Sequence, residues 1–371
     1  MHSNLQIAYG FIGVLAGIIL LGLIVLYSLK LRDVRRRRAE ERCSAKHGDW
    51  LDYVFAHLDG EDPLYPPPEP LQGAENRLVL DRLIAWIEQF RGEPREKLIA
   101  LCERMGFAER ELKRLDSPLQ WVKLDAAYRL GCLRAHEAVP RMLELLGRMR
   151  SGPLVFIVAR AIAKCARDSG ELREMAHLLL AHKKEAEPLI ADILLESPLD
   201  YTAMLQTFLR SGDPERIRLA LAAMRKVGPA GSGDRLFELT RSEHAAIRRQ
   251  AAKLLLRDCA SLAEARIRRL LGHADPEIRA EAVQAAGGLR RREYAGLLRA
   301  SMNDPDWQVR MNSAFALAKL GEEGLAVLRD AADRGAEAQA EAARAALRES
   351  GRRREAGSLR RGADWVPVRS V

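Results

Sequence analysis

Four arginines in the C-terminal half of the chain, Arg218, Arg248, Arg279 and Arg310, follow one another at intervals of 30, 31 and 31 residues. Each follows an aliphatic residue (Ile217, Ile247, Ile278, Val309), and small residues come three to five positions later. A period of that length holds two short helices and a turn. One such hairpin cannot bury its apolar face alone, but a row of them can. Before each arginine frame lies a second apolar-periodic stretch, such as "AVPRMLELLGRM" and "YTAMLQTFLRS", which supplies the first helix of each pair.

The frame extends backwards to "WVKLDAAYRLG", where Val122 and Lys123 stand in for the aliphatic-arginine pair. Degenerate copies, "PLVFIVARAIAKCA" and "EAEPLIADILLES", fill the interval to Arg218, and "EAQAEAARAALRES" closes the series with Gln339 at the arginine position. About eight units over residues 107–350 are expected. Aromatic residues are only 5% of the chain and Ala, Leu, Arg and Glu dominate, which suits helices and not strands.

Asp275–Pro276, Ile278–Arg279, Ala282 and Gly287, together with Asp304–Pro305, Val309–Arg310, Ser313–Ala314 and Leu320–Gly321, resemble the HEAT-repeat family in its short, phycobilisome-lyase-type form. The resemblance covers about two thirds of the chain. It implies an all-α fold, an α-solenoid of about eight HEAT-like hairpins. It also implies that the turn aspartate and the arginine form a structural pair, linked from unit to unit along the stack. Asp275 and Arg279, and Asp306 and Arg310, are four apart, right for a helix-start carboxylate beside a side chain one turn on. Asp213, Asp275 and Asp304 stand where a helix start needs a cap, with proline at the first helical position.

The N-terminal region reads differently. Ile7 to Leu29 is 23 residues without a charge, about 34 Å of helix against a bilayer core of about 30 Å. Nothing basic precedes it, and Lys30, Arg32, Arg35, Arg36, Arg37 and Arg38 follow. The positive-inside rule then predicts a single-pass inner (cytoplasmic) membrane protein of bacterial type, its N-terminus outside and the rest in the cytoplasm. Gly13 and Gly17 form a GxxxG pair able to bring two membrane helices together as a homodimer. Five scattered cysteines without a CxxC fit unpaired thiols in a reducing compartment. The expected organisation is an anchor over 1–29, a basic juxtamembrane segment over 30–43, a short helix and Pro-rich linker over 44–72, the repeat array over 73–350 and a basic disordered tail over 351–371.

The net charge of +9 is carried by residues 30–38 and by the tail from Gly351 on, which leaves the remainder neutral. A neutral body tells against nucleic-acid binding, although Arg266, Arg268, Arg269 and Arg290 to Arg292 are locally dense. No GxxxxGK[ST], GxSxG, HExxH or GxGxxG occurs, and "GPAGSGDR" reads as a turn between units. Cys43 and His47 share a helical spacing but two ligands do not make a metal site. HEAT-type deoxyhypusine hydroxylases use several His-Glu pairs; this chain has one, His136–Glu137.

These features predict no cofactor, metal or small-molecule substrate and no catalysis. The expectation is a membrane-anchored scaffold that binds a protein partner, itself membrane-associated, through the concave face of the array. A HEAT-type lyase or hydroxylase and a nucleic-acid binder are the alternatives. The candidate partner-binding residues are Trp307, Arg310, Arg279, Arg248 and Arg218. Trp307 lies three before Arg310, where sister repeats carry Glu215, Ala245 and Pro276; it is either an exposed anchor or packed under the neighbouring turn. The repeat arginines serve either the fold or a ligand.

Overall fold

The 31-residue period is a succession of helix pairs. In the computed structural model, residues 2–150, 152–182, 185–229 and 231–363 are described, without the side chains of 2–12, 14–16, 32, 33, 36 and 353–363. All of the regular structure among them is helical. The helices are α1 (His2–Ala56), α2 (Ala74–Gln89), α3 (Glu93–Arg104), α4 (Phe107–Arg114), α5 (Gln120–Leu133), α6 (Val139–Arg148), α7 (Val155–Cys165), α8 (Ser169–His182), α9 (Glu187–Leu194), α10 (Thr202–Arg210), α11 (Pro214–Val227), α12 (Gly233–Leu239), α13 (Ala245–Arg257), α14 (Glu264–Leu271), α15 (Pro276–Gly288), α16 (Ala295–Ser301), α17 (Trp307–Ala318), α18 (Glu322–Arg334) and α19 (Glu337–Ala363). They fall into two compact units, 1–182 with 196–199, and 183–195 with 200–371.

In the first unit, α2, α5 and α7 form one layer, while α4, α6 and α8 pack beside α5 and α7. The face of α6 shows why: Val139, Met142, Leu143 and Leu146 are buried at i, i+3, i+4 and i+7, a single apolar stripe. A cluster of charge is enclosed as well. Arg129 is 4% exposed and reaches Asp81 at 2.6 Å and Asp125 at 3.2 Å, while Arg114 joins Asp125 at 2.7 Å and Glu111 at 2.6 Å. Burial pushes the Asp125 carboxyl up, but the hydrogen bond from Arg114 and the charge of Arg129 outweigh it and hold it below its usual range.

The short helix expected within residues 44–72 is the end of α1, which closes at Ala56. Trp50 and Val54 are buried against Val79, Leu83 and Ile87 of α2. The five prolines after it keep the segment out of helix, and it is fastened down. Leu64 is buried, Trp50 Nε1 donates to the Tyr65 carbonyl at 2.9 Å, and Arg104 donates to the Leu64 carbonyl at 2.9 Å.

The membrane expectation is corrected. Among the described residues no helix is long and apolar enough to cross a membrane. The anchor, the outside N-terminus and the inner-membrane location are therefore not supported. Residues 7–12 and 14–16 of the apolar run lie outside the described side chains, as do Arg32 and Arg36. Gly13 and Gly17 are exposed on α1, as are Lys30, Arg35, Arg37 and Arg38. Residues 364–371 of the expected tail, Trp365 among them, lie outside the described residues.

In the second unit, α9, α11, α13, α15, α17 and α19 stack in order, with α10, α12, α14, α16 and α18 beside them. The stacked helices bury small residues on the faces that meet: Ala220 and Ala223, Ala251 and Ala252, Ala282 and Ala286, Ala314 and Ala316. Gly287 shows how close the approach is. A Cβ there would stand 2.8 Å from the Ala316 Cα and would overlap its methyl group. Gly131 meets Ala161 in the same way in the first unit, at 2.8 Å from Cα. These glycines are the closing residues of the sequence frame, and the reason for them is steric.

Candidate functional site: the arginine ladder and Trp307

Each repeat arginine of the second unit sits near the start of a stacked helix, and the three that are the fourth residue of theirs are held alike. Arg248 Nη1 donates to the carbonyls of Ser242 and Glu243. Arg279 Nη1 does so to His273 and Ala274 at 2.8 and 3.0 Å, and Arg310 Nη1 to Asp304 and Pro305 at 2.8 and 2.9 Å. The carbonyl pair is always five and six residues back. It fixes the plane of the guanidinium and aims its remaining edge along the stack.

That edge meets the next unit. Arg279 grips Asp304 through Nε and Nη2, both at 2.7 Å, the bidentate geometry in which the planar guanidinium is strongest. Arg248 Nε reaches Asp275 at 3.0 Å. Arg249 joins it on the same oxygen at 3.0 Å and also takes Glu277 at 2.6 Å. Arg218 points the other way, to Glu187 of the preceding helix at 2.6 Å. Burial raises the Asp275 and Asp304 carboxyls, but hydrogen bonds from Arg249 to the first and from Arg279 to the second, with neighbouring backbone amides and charges, leave both below their usual range.

Two sequence expectations change here. The aspartate four residues before the arginine is not its partner. Asp275 caps α15 by accepting from the Glu277 amide, and Asp306 caps α17 by accepting from the Gln308 and Val309 amides. The arginine reaches an acid of a neighbouring unit, the unit-to-unit link that the resemblance implied, 25 to 31 residues away in sequence. Asp304 is not a cap either: α17 starts at Trp307, so Pro305 lies outside the helix. Asp304 accepts from the Asp306 amide at 2.9 Å and holds Arg279. Asp213 and Asp275 cap as expected, each with proline at the first helical position.

Arg310 ends the series. Its guanidinium is held by the same carbonyl pair, but no carboxylate lies within ion-pair distance of it among the described residues. The lead-in to α19, Arg334–Gly335–Ala336, carries no acid. One turn away Trp307, the first residue of α17, is 65% exposed, so it is not packed under the neighbouring turn.

Groups able to do chemistry sit elsewhere and are engaged in packing. All five cysteines are free and buried. Burial pushes the thiols of Cys102 and Cys165 up to about 12 and that of Cys132 to about 11. Cys43 is raised by burial and by the nearby Glu75 charge, the carboxylate that His47 faces at 3.4 Å. His136, His182 and His273 donate to the carbonyls of Cys165, Leu146 and Thr240. No group of three metal-ligating side chains occurs among the described residues. The sequence did not point to Arg249 as a second ligand of Asp275, nor to Glu187 as the partner of Arg218. The acid at the first turn of α9 was the only signal for the latter.

The repeated arginine, its inter-unit acid and the glycine-alanine contacts make a stack of helical pairs held by periodic contacts. Residues 263–348 match the family model of HEAT repeats. No curated protein matches the chain. Among solved structures, the chain is similar to Escherichia coli YibA, at 12% identity and a TM-score of 0.32, over 76% of this chain and 99% of that one. It is similar to the complex of CpcE and CpcF of phycocyanin lyase from Nostoc sp. PCC7120, at 15% identity and a TM-score of 0.28, over 60% and 92%. It is also similar to human deoxyhypusine hydroxylase in complex with glycerol, at 18% identity and a TM-score of 0.28, over 76% and 100%. Two of these three neighbours are enzymes by name, at low identity only, so the expectation that the chain is not an enzyme is withdrawn.

Proposed function

We propose that this helical-repeat protein binds a protein partner at the start of α17, where Trp307 supplies an apolar anchor and Arg310 the charge. The supporting observation is the open end of the ladder. Arg248 and Arg279 spend their outer edges on Asp275 and Asp304. Arg310 holds the same attitude beside an exposed indole with no acid opposite it among the described residues. Arginine and tryptophan are the side chains that most often carry the energy of an interface. A partner segment with a carboxylate next to an apolar side chain fits both.

The test is affinity capture with the full-length chain from its native host, with wild type, Trp307→Ala, Arg310→Glu and the control Arg299→Gln run in parallel. Arg299 is an exposed arginine on α16 already paired with Asp330 at 2.9 Å. The expected result is a discrete protein retained by wild type and the control and lost from both site variants. Capture that is the same from all four baits, or no specific protein from any, would overturn the assignment.

A further inference from the structure

Lower in the same unit, α12, α13, α14 and the start of α15 enclose an open cavity of about 930 Å³. Four of its wall residues are arginines, Arg241, Arg248, Arg249 and Arg269, and its only wall acid is Asp275. The Asp275 side chain is 2% exposed. One of its oxygens takes both Arg248 and Arg249 and the other takes the Glu277 amide, so its charge is spent inward. Arg249 is further balanced by Glu277.

Arg241 and Arg269 are different. Both are exposed, and neither is within ion-pair distance of a carboxylate among the described residues. Arg241 lies over the Phe237 ring with its guanidinium carbon 5.4 Å from the centroid. Stacking of that kind orients a guanidinium without consuming its hydrogen-bond donors. Against Asp275 and Glu277, the four arginines leave two positive charges facing the cavity. Phe237 and Leu270 contribute apolar wall beside them.

We infer that this cavity binds a phosphate group, with Arg241 and Arg269 as its principal ligands. Two uncompensated guanidiniums match a dianion in charge, and their forked donors match phosphate oxygens in geometry. A carboxylate would leave one of the two charges unanswered. The volume lies within the range of sites that take a small organic molecule, and the apolar wall suits an organic body carrying the phosphate. This site is separate from the α17 surface, uses none of its residues and does not depend on the partner-binding assignment.

The test is isothermal titration of the full-length chain, at fixed ionic strength, with phenyl phosphate and in a second arm with inorganic phosphate. Each is repeated on Arg241→Gln/Arg269→Gln and on the control Arg352→Gln. Neither cavity arginine is buried, so the double variant keeps the fold, which circular dichroism checks. The expected result is saturable one-site binding, weakened at least tenfold in the double variant and unchanged in the control. Tighter binding of phenyl phosphate would assign the site to an organic phosphate, and equal binding would assign it to the free ion. No saturable binding of either probe, or equal binding by wild type and the double variant, would overturn the inference.

Discussion

Arg279 of one helical pair holds Asp304 of the next through two hydrogen bonds of 2.7 Å, and both side chains are nearly buried, at 13% and 10% exposure. A buried pair of this kind stabilises less than its short distances suggest, because both charges are desolvated. Breaking it from one side is costly, since the other charge is left stranded. Asp304→Ala is expected to destabilise the second unit by about 3 kcal/mol, and the double variant with Arg279→Ala by less than the sum of the single changes. A double-mutant cycle read by urea denaturation measures this. Additive changes would mean that the pair contributes no coupling.

Acid should loosen the same ladder. Asp275 and Asp304 are held below their usual carboxyl range in the folded chain. A depressed folded value means that their stabilisation is fully present above the unfolded value of about 3.9 and is lost as pH falls through the folded one. The denaturation midpoint should hold steady from about pH 5 to 7 and fall below about pH 4. In Asp275→Asn/Asp304→Asn the acid-dependent part of that fall should be smaller.

Close packing makes its own prediction. A methyl group on Gly287 has nowhere to go, because what it meets is the Ala316 backbone and not the end of a flexible side chain. Gly287→Ala should therefore cost about 1–3 kcal/mol although alanine favours helix. Gly288→Ala, where the added methyl meets open space, should be neutral or slightly stabilising. Thermal melts of the two variants separate the steric effect from propensity.

The thiols should be inert in the native state. All five are buried, and burial holds Cys102 and Cys165 at about 12, far above neutral pH, so thiolate is scarce. A colourimetric thiol reagent at pH 8 should label almost nothing until denaturant is added, and then all five. Rapid labelling of one cysteine in the folded chain would show that its surroundings open readily.

Ala336→Asp would offer Arg310 an acid at the residue that leads into α19. The expected outcome is a small gain in stability, about 1 kcal/mol, together with weaker capture of the partner proposed for Trp307. A gain in stability with capture unchanged would separate Arg310 from recognition.

The repeat was legible because its marks are local. Ile278 and Arg279 recur at intervals of 30 or 31 residues, and Asp213 and Asp275 announce their helices through Asp-Pro. The unit-to-unit link between turn aspartate and arginine was implied by the resemblance, but spacing alone did not give the partners of the arginines. Spacing along one helix singles out the neighbour four residues away, whereas stacking brings together residues 25 to 31 apart. Asp304–Pro305 misled for a related reason: a second turn acid, Asp306, takes the capping role and shifts the helix start by two residues. The exposure of Trp307 depends on what surrounds α17, which no periodicity records. The phosphate cavity is assembled from four helices, and its free arginines, Arg241 and Arg269, have no common spacing with the repeat.

The strap between α1 and α2 has a mechanical consequence. Three of its fastenings, Trp50 to the Tyr65 carbonyl, Arg104 to the Leu64 carbonyl and the Leu64 side chain in the core, lie between the long helix and the first pair of the array. Tension applied along α1 is carried by these contacts before it reaches the connection to α2. The prolines add to this, because their fixed φ leaves the backbone few other conformations to relax into. A pull on the N-terminal helix is thus delivered to α3 through Arg104, which makes the strap a tie rod and not a hinge.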